Sequence, residues 1–444
     1  MEWERGRTVT TATPGRRRLR ALLLFLLLLA APLPARPGEK DLPPVQQVVV
    51  EDFDGDGFPD VAVGLPDLKA GKVKEAGEVR VYSGKTGVLL WNLAGTEEGQ
   101  ACGEALALAG DVDEDGAPDL AVGNPWAEAG PHILFLSGKT GRVHHRFGSN
   151  FPLSFSEHLC GFHLVDWTVG GRPSPQWIVL ARAGLSGRWW GVDNRKESYS
   201  AFFEDSHGMQ CDARAAGDLN GDGYRDAVLC AWSAEVGGKK GAGLLRLLSG
   251  ETLSGVTQPK SDRWLGEIAG TRENENLGLL VEPAGDWNGD RRADLLLGTR
   301  GDGKKKGETW TLRVLSPLDR VEIALLRGPE GETVIGGAAV LGDADGDGTP
   351  EVLAGTPQRG RGIGAAALLS GKDGKVLWTV DGTGSERFGE EVHRAADADG
   401  DGIAEAWVLA PGTATNGKKG KGYLRLLSGK TGAVLSTVNP LALK

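Results

Sequence analysis

An all-β, seven-bladed β-propeller of four-stranded antiparallel blades is the fold this sequence predicts, and three observations predict it. A nine-residue acidic motif recurs along the chain. Short apolar runs of strand length, separated by turns, fill the interval between copies. Helical periodicity is absent beyond the N-terminal leader. The motif first reads Asp52-Phe53-Asp54-Gly55-Asp56-Gly57-Phe58-Pro59-Asp60 and returns at Asp111, Asp218, Asp286, Asp343 and Asp397. The steps are 59, 107, 68, 57 and 54 residues, and a decayed copy near Asp166 splits the long step into 55 and 52. Seven units of nearly equal length mark a repeat architecture.

Each unit reads the same way. An apolar strand leads in, as in Phe388-Gly389-Glu390-Glu391-Val392, and the acidic loop follows it. A second strand comes next, as in Leu120-Ala121-Val122-Gly123. A Gly/Lys-rich hairpin leads to a third strand, as in Tyr423-Leu424-Arg425-Leu426-Leu427. A Ser-Gly-Lys-Thr/Asp-Gly turn then recurs at 83–87, 137–141, 370–374 and 428–432, before a fourth strand such as Val88-Leu89-Leu90-Trp91. Four antiparallel strands per unit, repeated around an axis, make a propeller. Residues 45–439 form it, with a degenerate third blade, after a leader at 1–35 and a short linker at 36–44. No strand is left over to lock the ring, so closure is expected to rest on blade-to-blade packing.

The acidic loops have the chemistry of a calcium site. Asp at positions 1, 3, 5 and 9 places four carboxylates around one point, which repel one another without a cation. Gly at positions 4 and 6 permits positive-φ turns. A backbone carbonyl and water would complete the six to eight oxygens that Ca²⁺ takes, whereas Mg²⁺ resists such crowded cages. An EF-hand needs an acidic twelfth position; here that position holds Val63, Val122, Leu229, Leu297, Ala354 and Val408, so these are hairpin loops. Up to six Ca²⁺ ions are expected. The first two sets are Asp52/Asp54/Asp56/Asp60 and Asp111/Asp113/Asp115/Asp119. Asp218/Asn220/Asp222/Asp226 and Asp286/Asn288/Asp290/Asp294 exchange one Asp for Asn, and Asp343/Asp345/Asp347/Glu351 and Asp397/Asp399/Asp401/Glu405 end in Glu. Glu114 and Arg291 stand where the other copies have glycine, which predicts strain. The decayed copy, Asp166-Trp167-Thr168-Val169-Gly170-Gly171-Arg172, has lost the ligands and is expected to hold no metal.

These motifs resemble the FG-GAP repeat family, found in the propeller heads of integrin α subunits and in many secreted bacterial proteins. Cys102-Gly103-Glu104-Ala105-Leu106-Ala107 stands where that family has Phe-Gly and an apolar strand. Asp119-Leu120-Ala121-Val122-Gly123-Asn124-Pro125 stands at its Gly-Ala-Pro ending, and Phe388-Gly389 keeps the Phe-Gly itself. The resemblance spans nearly the whole chain after the leader. It implies a seven-bladed propeller with calcium in the blade hairpins, a role in binding, adhesion or as a structural scaffold, and no catalysis. The departures are the decayed third unit, the Cys-for-Phe exchanges and the absence of an integrin-like leg or transmembrane helix.

The remaining composition sets bounds. Arg16-Arg17-Arg18-Leu19-Arg20, the apolar stretch Ala21 to Ala31 and a small-residue site near Ala35 read as a secretory signal; kept uncleaved, it would serve as an anchor. The protein is then secreted, periplasmic or on the cell surface. The leader holds six Arg and two Glu, so the chain's formal −10 becomes −14 without it, and six Ca²⁺ would bring that to −2. The acidity therefore belongs to the loops. Cys102, Cys160, Cys211 and Cys230 lie in an exported chain where disulfides are permitted, but the sequence assigns no pairs.

Other chemistry is mostly excluded. The Ser-Gly-Lys turns lack the leading glycine of a phosphate loop, having Val79 and Ile133 in its place. Trp91 and Trp378 echo the tryptophan motif of quinoprotein propellers, but in two units only. A calcium-dependent, carbohydrate-active propeller of the polysaccharide-lyase kind is the alternative reading. Partners are expected to be an extracellular protein or glycan, not nucleic acid, with the chain monomeric. Trp167, Trp177, Trp189 and Trp190 in the decayed unit read as packing or as a contact surface. Opposite the acidic face, the hairpins between second and third strands carry Lys69, Lys72, Lys74, Lys239, Lys240, Lys304, Lys305, Lys306, Arg359, Arg361, Lys418, Lys419 and Lys421. That arc either keeps hairpins soluble or docks an anionic polysaccharide or an anionic membrane surface.

Overall fold

In the computed structural model, residues 47–124, 133–147, 212–250, 264–299, 309–329, 332, 334–384, 386–412 and 422–440 are described, with the backbone of four strands between 167 and 205. The leader, the linker, Cys160, Lys304 to Lys306 and Lys418, Lys419 and Lys421 lie outside them.

Strands form where apolar runs of four to six residues are bounded by Gly, Asp and Ser. The first blade is β1 (Gln47–Glu51), β2 (Asp60–Leu65), β3 (Glu78–Tyr82) and β4 (Leu89–Ala94). The second is β5 (Ala105–Gly110), β6 (Asp119–Gly123), β7 (Ile133–Leu136) and β8 (Val143–Phe147). After β9 (Trp167–Val169), β10 (Arg172–Val179), β11 (Gly187–Asp193) and β12 (Ser198–Asp205) comes the blade of β13 (Asp212–Gly217), β14 (Asp226–Ala231), β15 (Leu244–Leu248) and β16 (Trp264–Ala269). The next is β17 (Leu280–Gly285), β18 (Asp294–Thr299), β19 (Thr311–Ser316) and β20 (Val321–Arg327). The last two are β21 (Ala338–Gly342), β22 (Glu351–Gly355), β23 (Ala365–Leu369) and β24 (Val376–Asp381), then β25 (Glu391–Arg394), β26 (Ala406–Ala410), β27 (Tyr423–Leu427) and β28 (Val434–Val438).

Within each regular blade the strands pair antiparallel in chain order. The second strand is buried along its whole length, as in β2, β14 and β18. It is the continuous apolar run expected of a strand covered on both faces. The fourth strand alternates exposed and covered residues, as in β24. Every regular blade carries the same bulge between its third and fourth strands. The residue left unpaired there is Leu90, His144, Leu265, Ile323, Leu377 or Leu435. Bulges at one position in every repeat are designed features of a sheet.

The blade count corrects the expectation of seven. Six blades are regular. The segment around the decayed copy forms a four-stranded sheet of order β12-β11-β10-β9, but it does not repeat the pattern. Val169 pairs directly with Arg172, and β10 meets β11 at Trp177 to Val179 only. The decayed copy carries no set of acidic ligands to wrap a cation, the feature that the six regular blades share. The side chains of Trp167, Trp177, Trp189 and Trp190 lie outside the described residues.

The cores sit between blades. One joins Val61, Val63 and Tyr82 of the first blade to Trp407, Leu409 and Leu424 of the last, closing the ring by packing. Tyr82 Oη also donates to the carbonyl of Pro440 at 3.1 Å, and Trp407 Nε1 to that of Pro59 at 3.1 Å. The Phe-Gly position reaches back into the preceding blade. The amides of Cys102, Leu277 and Phe388 donate to the carbonyls of Ala76, Ala242 and Ile363, and all three side chains are buried. The position demands a buried apolar group and accepts more than phenylalanine. Cys102 and Cys230 are buried thiols outside any disulfide, and burial pushes Cys102 up to about 12, which leaves it inert. The first strands of all six regular blades line one central cavity of about 590 Å³.

Candidate metal centres

The acidic loops join the first strand of each regular blade to its second, and their backbone is folded around their own carboxylates. In the first loop Asp52 Oδ1 accepts from the amides of Gly55 at 2.8 Å and Asp56 at 3.1 Å, and Oδ2 from Gly57 at 2.9 Å. Asp54 Oδ1 accepts from Asp56 and Asp56 Oδ1 from Phe58. Asp218, Asp286, Asp343 and Asp397 accept the position-4 amide in the same way, and Asp111 accepts those of positions 5 and 6. These turns need positive φ at positions 4 and 6. Glu114 at φ 60° and Arg291 at φ 68° meet that demand without being glycine, a costly conformation for an L-residue. The strain expected at both is present.

The ninth position is the centre of each loop. Asp60, Asp119, Asp226, Asp294, Glu351 and Glu405 are all fully buried. Asp60 Oδ2 accepts from the amides of Phe53 and Asp54, while Oδ1 accepts from Gly84 at 2.9 Å. Gly84 belongs to the Ser-Gly-Lys turn, and Gly138 and Gly250 bond Asp119 and Asp226 in the same way. The acidic loop and this turn therefore share a face and are one structural unit. Its glycine is required by contact: a Cβ on Gly84 would lie 1.9 Å from the carbonyl of Pro59. In the fifth copy Pro317 occupies that place and has no N–H to give. Asp294 Oδ1 is accordingly buried without a partner, and Glu351 Oε1 is another such atom. Burial pushes Asp60 and Glu405 up to about 7 and Asp226 up to about 6. It also raises Asp119, Asp294 and Glu351.

The ligand sets converge to different degrees. Carboxylate oxygens of Asp343, Asp345, Asp347 and Glu351 all lie within 4.8 Å of one another. So do those of Asp52, Asp54 and Asp60, of Asp111, Asp113 and Asp115, and of Asp397, Asp399 and Glu405. Asp56 instead meets Lys85 at 3.5 Å, and Lys372 reaches Asp347 at 3.7 Å. In the fourth and fifth copies the amides of Asn220 and Asn288 turn to Asp222 and Asp290. Asp290 is further held by Arg292, whose Nη2 lies 3.0 Å from it and 2.5 Å from Asp319. Asp401 bonds the amide of Ile403. Convergent oxygens, fully buried carboxylates and orphaned carboxylate oxygens fit an oxygen-seeking divalent cation of calcium's kind.

The sequence missed two partners of these loops. One is the Ser-Gly-Lys turn, whose recurrence 19 to 24 residues after the ninth position, at Gly84, Gly138 and Gly250, was the signal. The other is Trp91, whose Nε1 donates to Gly138 O at 2.5 Å in the next blade; Trp378 meets Gly429 O at 3.1 Å. These tryptophans dock one blade on the next, which replaces the quinoprotein likeness with a packing role. On the opposite face Lys69, Lys72, Lys74, Lys239, Lys240, Arg359 and Arg361 are exposed. Lys239 donates to Thr271 O at 2.7 Å, and Arg359 lies 3.7 Å from Glu332.

The FG-GAP repeat matches residues 45–82 and 103–144. Human phosphatidylinositol-glycan-specific phospholipase D is 27% identical over 346 residues, covering 74% of this chain and 36% of that protein. The Bos taurus protein of the same name is 33% identical over 152 residues, covering 33% of this chain and 17% of its own length. Integrin alpha pat-2 of Caenorhabditis briggsae is 25% identical over 257 residues, covering 57% of this chain and 17% of its own length. The chain thus spans about a third or less of these relatives. The expectation that catalysis has no place here is corrected by this finding, because two of these three relatives are named for an enzyme.

Proposed function

We propose that this chain, an FG-GAP repeat protein, is an exported calcium-loaded propeller that binds a partner at or beyond the cell surface. The six buried ninth-position carboxylates support the metal most directly. Each is withdrawn from water among neighbouring carboxylates, a placement that costs heavily unless a cation joins it. Asp52/Asp54/Asp60, Asp111/Asp113/Asp115, Asp343/Asp345/Asp347/Glu351 and Asp397/Asp399/Glu405 would supply most of the oxygens, with Asn220 and Asn288 completing weaker sets. Calcium bound there ties the acidic loop to the Ser-Gly-Lys turn and so stiffens the edge of each blade. The β9–β12 sheet is read as the third position of a ring of seven. The basic hairpins opposite are read as a docking arc for an anionic polysaccharide, with the chain acting as a monomer. Export rests on the leader at 1–35.

The test is thermal unfolding with calcium and with excess chelator, alongside immobilised matrix proteins and glycans. The reading expects a large calcium-dependent rise in melting temperature and binding that weakens with chelator and with salt. An unfolding curve indifferent to chelator sinks the metal role. Salt-insensitive binding sinks the docking arc, and glycan cleavage on the array would point to the lyase alternative.

A second reading is favoured by the likeness to the phospholipases over 74% of this chain. On it, the propeller works on phosphatidylinositol-glycan, by holding the glycan headgroup or by taking part in its cleavage. Release of a glycosylphosphatidylinositol-anchored reporter from vesicles measures cleavage, and vesicle co-sedimentation measures holding. Neither release nor co-sedimentation above protein-free controls removes this reading.

A further inference from the structure

An arginine at the centre of the third strand ties several blades to the blade before them. Arg80, Arg246, Arg313 and Arg425 are equivalent, because each pairs with the twelfth position of its acidic motif: Val63, Leu229, Leu297 and Val408. Arg425 Nη1 donates to the carbonyl of Asp381 at 3.3 Å, at the end of the preceding blade. Arg313 Nη2 reaches the buried Glu275, in the connection from the preceding blade, at 2.9 Å. Arg246 follows the irregular β9–β12 sheet and turns instead to Glu267 of its own blade, at 2.8 Å. Arg80 Nη1 donates to the carbonyl of Pro440 at 2.5 Å, just after β28 of the last blade.

That last tie is built more heavily than the others. Glu78 accepts from Arg80 Nε at 2.9 Å and from Nη2 at 3.0 Å, and Asn92 Nδ2 donates to Glu78 Oε1 at 2.8 Å. Tyr82 Oη donates to the same Pro440 carbonyl at 3.1 Å. The Arg80 and Glu78 side chains are only 13% and 11% exposed, and charge-assisted bonds of this kind are the strong ones. Arg313 and Arg425 join blades that follow one another directly in the chain, whereas Arg80 and Pro440 are 360 residues apart. At this seam packing and side-chain bonds alone do what a connecting loop does elsewhere. We propose that Glu78, Arg80, Tyr82 and Asn92 form a clasp on Pro440, and that the ring opens reversibly between its first and last blades when the clasp lets go. Opening parts β1 from β25, two of the strands that line the central cavity, and gives that cavity a side entrance. The inference does not depend on metal in the loops.

The experiment measures thiol labelling of the folded full chain, with the labelled positions assigned by peptide mass spectrometry. Ala395→Cys places a reporter in the buried core of the seam. Native Cys102 and Cys230 report from the core between the first two blades and from that between the β13–β16 and β17–β20 blades. Adding Arg80→Met is expected to speed labelling at position 395 about tenfold or more through local opening, with Cys102 and Cys230 unchanged. Tyr82→Phe removes one bond and keeps the ring, so it should give a smaller rise at the same position. Arg425→Met cuts the equivalent tie between blades adjacent in the chain and should leave position 395 unchanged. An unchanged rate at position 395 in Arg80→Met and Tyr82→Phe, an equal rise at Cys102 and Cys230, or an equal rise from Arg425→Met overturns the proposal.

Discussion

Glu351 shows at the scale of one residue how burial and charge oppose each other. It is fully buried, its Oε2 accepts from the amide of Ala344, and its Oε1 has no partner. Burial raises its pKa, so without metal the ionised form strains the loop. Glu351→Gln removes that charge while preserving shape. It should raise the melting temperature in chelator by a few degrees and lower it in calcium, so the two curves cross, and differential scanning fluorimetry reads both. A fall under both conditions would mean that shape, not charge, dominates. Gly84 is governed by space instead. Gly84→Ala drives a methyl against the carbonyl of Pro59 and should cost about 2 kcal/mol or more, measured by urea unfolding.

At the scale of the element, the loop and turn act together, and the fifth copy shows the unit built differently. Arg292 already supplies a cation to Asp290 there, Pro317 removes an amide donor, and Arg291 holds a strained φ. Arg292→Ala should strengthen calcium binding at this loop and leave the other loops unchanged. Isothermal titration of the chain and the variant compares them, and a weaker or unaltered site would refute competition by the guanidinium. Blade docking is separable from metal. Trp378→Phe loses the bond to Gly429 O, which should cost about 1 kcal/mol without moving calcium affinity. A changed calcium affinity would show that blade docking and metal binding are coupled.

For the whole molecule, the loops tie stability to pH as well as to metal. Asp60 and Glu405 at about 7 and Asp226 at about 6 are raised above their unfolded values near the ordinary carboxylate range. The folded chain without metal therefore binds more protons than the unfolded chain between about pH 4 and pH 7. Stability from these groups is present at low pH and lost as pH rises through that window. In chelator the melting temperature should rise as pH falls from about 8 to about 5.5. In calcium the trend should flatten or reverse, because protons compete with the metal. Parallel profiles with and without calcium would deny that these carboxylates bind it.

The acidic copies, their spacing and the four-strand reading of each unit were legible from the residues alone, because ligand spacing and strand-length apolar runs are local properties. The strain at Glu114 and Arg291 was legible for the same reason, since positive φ is decided within one turn. The Phe-Gly position was legible as a place, while its tolerance of Cys102 and Leu277 became clear only where each side chain enters the preceding blade. Tertiary structure alone decided that the Ser-Gly-Lys glycine serves Asp60 across 24 residues. It alone decided that Trp91 and Trp378 bind the next blade and that the segment around Asp166 departs from the regular blades. It also set His144 against Asp119, a bulge away in its own blade. Contacts of this kind depend on which strands become neighbours, and a local pattern of residues carries no record of what will lie across from it.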